Sequence, residues 1–165
     1  QYVRDARITT IYEGTTQIQA LDLLGRKVMQ QRGEGLQMFL QEIGAFCAQH
    51  ANDDALKEFI PKLSALMKEW SELTEAIGKR AMANADEIGA AAVDYLFYSG
   101  YIAIAYLWAR SVAAAESSSR SGEFKQAKRL TARFYFARIL PRTRMHRAAI
   151  EAGAESLFAM ADGLF

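Results

Sequence analysis

The sequence has one cysteine, Cys47, so no intrachain disulfide can staple it. A chain of 165 residues, about half of them hydrophobic, has enough apolar material for a core without one. The lone thiol fits a reducing compartment, and the cytoplasm is the expected location. Prolines are also few, only Pro61 and Pro141, and no alternation of apolar and polar residues lasts long enough to suggest a sheet. The two histidines, His50 and His146, fall in neither a Glu-x-x-His nor a His-x-x-x-His pattern, so no metal site is indicated. Gly-x-Gly-x-x-Gly, a P-loop and a Gly-x-Ser-x-Gly elbow are all missing, which argues against a nucleotide fold within this chain and against a serine nucleophile.

Helical periodicity fills the space these absences leave. From 16 to about 31, Ile18, Leu21, Leu24 and Val28 define one apolar face, and the helix should stop near Gly33 and Gly35. A second helix is predicted over 34–50 from Leu36, Phe39, Leu40, Ile43, Phe46 and Cys47. Asn52, Asp53 and Asp54 offer caps for a third, whose stripe runs through Leu56, Phe59, Ile60, Leu63, Leu66, Met67, Trp70, Leu73 and Ile77. Pro61 lies inside that stripe and must either kink the helix or move its start to residues 59–60.

The most hydrophobic stretch is 88–109. It is long enough to span a bilayer, but Asp94, Ser99 and several tyrosines interrupt it, so a buried central helix fits better. Its small residues, Gly89, Ala90, Ala91, Ala92, Gly100, Ala103 and Ala105, should admit close neighbours, with Leu96, Tyr101, Leu107 and Trp108 filling gaps. The polar segment 116–122 reads as a linker. Pro141 should kink or divide the last helix, which resumes over 142–152, with Gly153 tolerated in it at some cost in propensity. Leu157, Phe158, Met160, Leu164 and Phe165 form an apolar end that should pack on this bundle or on another part of a longer protein. The predicted fold is all-α, a bundle of about five helices in antiparallel up-down packing.

The chemistry-bearing stretch lies near the start: Ile11-Tyr12-Glu13-Gly14-Thr15-Thr16-Gln17-Ile18-Gln19. Glu13 sits on a turn, where a carboxylate can point into a cleft held by rigid flanks. Gly14 permits the bend, and Thr15 or Thr16 can cap the helix that follows. By itself, Glu-Gly followed by Thr-Thr is also ordinary turn punctuation.

Tyr12-Glu13-Gly14-Thr15-Thr16-Gln17-Ile18-Gln19, preceded by Arg4-Asp5-Ala6-Arg7-Ile8, closely resembles the catalytic-base segment of the flavin-dependent acyl-coenzyme A dehydrogenases. The resemblance implies that Glu13 is the base that removes the α-proton of an acyl-CoA thioester while FAD takes the β-hydrogen as hydride. It implies further that Tyr12 and Gly14 lie against the substrate, and that Thr15, Thr16 and Gln17 lie against FAD. A desolvated glutamate suits that role, because losing water strengthens it as a base. In this family the motif falls in a C-terminal helical bundle, after an N-terminal helical domain and a β-domain. Residues 1–33 are therefore expected to end that bundle, and 34–165 to form the additional helical domain of the long, C-terminally extended members. With no initiator Met before Gln1, the chain is expected to be a C-terminal piece of such an enzyme, inactive alone and without bound FAD. Implied partners are the acyl-CoA substrate, electron-transfer flavoprotein or another acceptor, and a second copy of the chain in a homo-oligomer.

A second signal is basic. Between 120 and 147 lie nine Lys/Arg residues against the one acid Glu123, with Leu130, Phe134, Ala137, Ile139 and Leu140 at helical spacing. Such a helix can be a solvated face, a subunit contact, a site for CoA phosphates, a membrane surface of anionic lipid, or a nucleic-acid patch. A net charge of +1 makes the solvated or subunit-contact reading the default. Two functions thus stand side by side: part of an acyl-CoA dehydrogenase, or a helical interaction module without catalysis. Arg26 could meet the phosphate end of CoA, but a solvated arginine is the simpler reading.

Overall fold

A computed structural model describes residues 1–10, 15–160 and 162–164. The described residues are all-α and contain no strand. A short α1 (Tyr2–Ala6) and a 3-10 turn (Arg7–Thr10) lead towards α2 (Thr16–Leu21), which continues without a break into a π-helical segment, Asp22–Gln30. Arg32 and Gly33, both with left-handed backbone (φ 54 and 74), then reverse the chain into α3 (Glu34–Gln49). Two long helices follow, α4 (Ile60–Ala83) and α5 (Asp86–Glu116), and after them α6 (Gly122–Phe134). A π turn (Tyr135–Ile139) and a 3-10 turn (Leu140–Arg142) carry α6 into α7 (Thr143–Ala152), and α8 (Glu155–Phe158) is a single turn.

α5 is the hub, contacting α2, α4, α6 and α7. Its pairings with α4 step in opposite directions along the two helices: Glu87 with Arg80, Tyr95 with Thr74, and Tyr98 with Glu69. That stepping is antiparallel, as a two-residue connection between them requires. The same rule holds on the other side, where Trp108 meets Lys128, Tyr101 meets Tyr135, Asp94 meets His146 and Glu87 meets Ala154. α6 and α7 therefore form one broken helix running back along the whole of α5. The break falls at Pro141, which lacks the N–H that an unbroken helix would need there.

The core divides into two lobes along α5. One gathers Ile43, Leu56, Phe59, Leu63, Ala105, Ala109, Val112 and Phe136, the other Ala20, Leu24, Trp70, Ile77, Ala91, Tyr95, Tyr98 and Ile150. Cys47 is buried in the first, as expected of a small core side chain, and burial pushes its thiol pKa up. α5 is the one helix among the described residues long and apolar enough to cross a membrane. Here other helices cover part of it, with 39 % of its most apolar window buried while Phe97, Ile104 and Leu107 stay exposed, and two of its tyrosines donate to carboxylates on its neighbours: Tyr98 to Glu69 and Tyr106 to Glu42, both at 2.8 Å.

Several expectations need correction. Ile18 and Leu21 are 62 % and 47 % exposed, and the buried face of the first long helix is Ala20, Leu24 and Val28. Leu24 and Val28 are buried as predicted, and within the π segment, whose wide turns advance less far around the axis per residue, they follow a spacing of four. Asp53 does not cap α4. Its Oδ1 accepts from the Ala55 N–H at 2.9 Å in a turn, and α4 begins at Ile60 with Pro61 in its first turn, the second of the two placements considered for that proline. The close approaches on α5 use Ala91, Ala92, Ala105 and Ala109, whereas a Cβ at Gly89 or Gly100 would meet nothing within 4 Å. Leu107 fills no gap, being 54 % exposed. Gly153 lies past the end of α7, not within it, with φ 71. Of the two placements expected for the apolar tail, packing on this bundle is not found, since Leu157, Phe158, Met160 and Leu164 are all exposed; Phe165 lies outside the described residues.

Candidate functional site

Of the residues implicated by the sequence, Tyr12, Glu13 and Gly14 lie outside the described residues. Thr15, Thr16 and Gln17 are described and exposed. Thr15 is the N-terminal boundary of α2, with a left-handed backbone (φ 47), and its carbonyl accepts from the N–H groups of Ile18 and Gln19 at 2.9 and 3.1 Å. Its side chain makes no capping bond, so the expected hydroxyl cap is replaced by a backbone start. α2 turns Ala20 into the core, and Thr15, Thr16, Gln17 and Gln19, the described polar residues of the motif, are exposed together with Ile18 and Leu21.

The π-helical segment next to the motif carries a compact charge cluster. Asp22 accepts from Arg26 and pairs with Lys27 at 3.2 Å. These bonds, Arg26 first, hold the Asp22 carboxyl below its ordinary range and push the Arg26 pKa up. Arg26 and Lys27 remain more than half exposed.

Deeper in the bundle, polar groups are paired off. Trp70 Nε1 donates to Tyr95 Oη at 3.0 Å, and the Tyr95 and Thr74 hydroxyls lie 2.8 Å apart. Burial raises the Tyr95 and Tyr98 pKa values, with the Glu69 carboxylate adding to the rise at Tyr98. Burial likewise pushes Tyr135 up to about 12. These phenols are structural donors at neutral pH and cannot act as bases there.

Sequence reasoning missed two polar clusters. Buried Glu87 accepts from Arg80 Nε at 2.8 Å and from the Ala154 N–H at 3.1 Å, while Arg80 Nη2 donates to the Ile150 carbonyl at 2.9 Å. The backbone bond, then the arginine, hold the Glu87 carboxyl below its ordinary value. His146 stacks on Phe97 and Tyr101, with ring centroids 5.4 and 5.6 Å away. Its Nδ1 lies 2.7 Å from Asp94 Oδ1, and since a carboxylate only accepts, the imidazole donates. Spacings of 52 and 67 residues carry no local signal, which is why neither cluster was legible. No group of three or more His, Cys, Asp or Glu side chains among the described residues could hold a metal.

Three of the nine cations of the basic segment are paired with carboxylates of the chain. Arg129 pairs with Glu116, Arg133 with Glu58, and Arg147 with Glu69 and Glu151. Lys125 donates to the Glu116 carbonyl, Lys128 lies over Trp108, and Arg120 lies over Phe124. Arg138, Arg142 and Arg144 are exposed, and no ion pair to them occurs among the described residues.

With this geometry in hand, comparison with known proteins is direct. A family described as acetyl-CoA dehydrogenase C-terminal like matches residues 39–161, and the chain belongs to this family, the C-terminal helical region of acyl-CoA dehydrogenases. Among curated relatives, the chain is 32 % identical over 161 residues to a 3-methylmercaptopropionyl-CoA dehydrogenase of Ruegeria pomeroyi. It is 29 % identical over 163 residues to a broad-specificity linear acyl-CoA dehydrogenase of Mycobacterium tuberculosis. These alignments cover 95 % and 92 % of the chain but only 27 % of each relative, so the chain spans about a quarter of their length. A butyryl-CoA dehydrogenase of Syntrophomonas wolfei matches over 56 residues at 41 % identity, covering 34 % of the chain and 9 % of that relative.

Proposed function

We propose that this chain contributes the catalytic base and one wall of the flavin site to an FAD-dependent acyl-CoA dehydrogenase. Glu13 is the residue that takes the α-proton of an acyl-CoA thioester. The observation that carries the reading is the Tyr12–Gln19 motif in a chain whose residues 39–161 match an acyl-CoA dehydrogenase family. The exposure of Thr15, Thr16 and Gln17 supports it, because they face away from the bundle core, as a site completed by other parts of a longer polypeptide would require.

Those three residues fit a flavin edge by their chemistry, since hydroxyls and an amide both donate and accept. FAD, when bound, supplies the hydride acceptor for the β-hydrogen. Glu13 holds the proton it removes on a carboxylate oxygen, and its strength as a base depends on exclusion of water. Tyr12 and Gly14 lie on either side of it in sequence and border the substrate. Base, α-carbon and acceptor must be held in line, which requires the remainder of the enzyme, so the 165-residue chain alone is inactive and binds no FAD. The acyl-CoA substrate, a separate electron acceptor such as electron-transfer flavoprotein, and homo-oligomerisation complete the proposal.

The deciding experiment is Glu13→Gln in the full-length enzyme, followed by the rate of flavin bleaching with acyl-CoA. The expected loss is about 10²–10⁴-fold, the range for removal of a general base. Flavin reduction at the parent rate would overturn the assignment.

A further inference from the structure

Beside the π-helical segment lies a cavity that no part of the proposed dehydrogenase site uses. It has a volume of about 400 Å³, within the range of small-molecule sites. Leu23, Leu36 and Phe39 form its walls, and the rings of Trp70 and Tyr95 line it more deeply. The chain reversal at Arg32 and Gly33 brings α3 back against the π segment, and Val28 and Leu36 border both this cavity and a smaller one of about 210 Å³. Gly35 leaves the mouth open, since a Cβ there would meet nothing within 4 Å.

The chemistry of the lining defines its occupant. Trp70 and Tyr95 spend their polar hydrogens within the fold, so the interior asks for an apolar body. Arg26 and Lys27 also line the cavity, and both pair with the single carboxylate of Asp22. Two cations against one anion leave the mouth with one net positive charge. Asp22 itself demonstrates that a carboxylate fits beside both cations.

We propose that this cavity binds an amphipathic anion, a medium-length aliphatic chain carrying one carboxylate, with its head at Arg26 and Lys27 and its tail against Leu36, Phe39 and Trp70. The site is distinct from the Glu13 motif. Its test therefore fails or succeeds independently of the dehydrogenase reading.

Trp70 supplies the readout. In a Trp108→Phe background it is the sole tryptophan, and titration of the chain with decanoate below its micellar concentration is expected to give a saturable change in its fluorescence. Gly35→Leu, which projects a side chain into the open mouth, is expected to weaken decanoate binding by about tenfold or more, with the far-ultraviolet circular dichroism and melting temperature retained. Lys27→Ala, on the surface, leaves Arg26 and Asp22 to cancel and should weaken decanoate severalfold, bringing its affinity to that of decanol, which lacks the charge. Absence of a saturable signal, parent-like binding by folded Gly35→Leu, or equal binding of decanol and decanoate by the parent would each overturn the proposal.

Discussion

Two short helices, α2 and α7, pack against the same central helix α5, yet they use their side chains in opposite ways. α7 buries Thr143, His146 and Ile150, and the polar groups of His146, Ile150 and Arg147 are taken up inside the chain by Asp94, Arg80 and Glu69, while Arg144 stays exposed. α2 buries only Ala20 and leaves Thr16, Gln17, Ile18, Gln19 and Leu21 exposed. The difference separates two kinds of residue. A helix whose polar atoms are satisfied internally serves the stability of this bundle, whereas one presenting a motif and two apolar side chains outward serves something beyond it.

The sharpest way to break that contrast is within one continuous helix. Leu24, fully buried between α4 and α5, should cost about 2–5 kcal/mol when changed to alanine. Urea denaturation of the chain measures it. A smaller loss is expected where α7 ends. Gly153→Ala forces φ 71 on a residue with a Cβ that would approach Glu87 Oε1 to 3.1 Å, and should cost about 1–3 kcal/mol. A melting temperature unchanged by this substitution would show that the Glu87 latch does not hold the end of α7.

The latch also has a pH signature. The folded Glu87 carboxyl lies below its ordinary 4.5, so the unfolded chain takes up the proton first as pH falls. Its pairing contributes fully at neutral pH and is lost as pH drops from about 4.5 through the lower folded value. Glu87→Gln should therefore flatten the acid limb of a stability profile while lowering stability at neutral pH. The smallest effect is expected at Leu21, three residues before Leu24. Leu21→Ala should stay within about 0.5 kcal/mol, as for ordinary surface positions. A loss comparable to that of Leu24→Ala would erase the distinction between the two faces.

Much of this was legible in the residues. The stripe Leu63, Trp70, Leu73 and Ile77 is buried as its spacing requires, and Pro61 stands in the first turn of α4, where its missing N–H does no harm. The motif around Glu13 was found from residue types alone, and the family match over 39–161 agrees with the resemblance that it suggested. The burial of Ile18 and Leu21 was misjudged for a physical reason. Leu24 and Val28 of the predicted face are buried, but within α2 the small Ala20 takes the inward position and the larger Ile18 and Leu21 stay outside, a choice that an apolar periodicity weighted towards large side chains does not register. Glycine at 153 was read for its low helix propensity, while the structure uses its left-handed φ and its missing Cβ beside Glu87.

By itself the sequence determined that this chain is helical and where most of its helices begin and end, and it holds the motif on which the proposed role of Glu13 rests. Those properties depend on neighbours a few residues away, through backbone hydrogen bonding, capping and side-chain periodicity. Only the tertiary structure decided that Glu87 closes on Ala154, that His146 stands between Phe97 and Tyr101, and that a cavity opens between the π segment and α3. Each arises where helices distant in sequence meet at an angle and spacing set by the packing of all the others, so no local pattern encodes it.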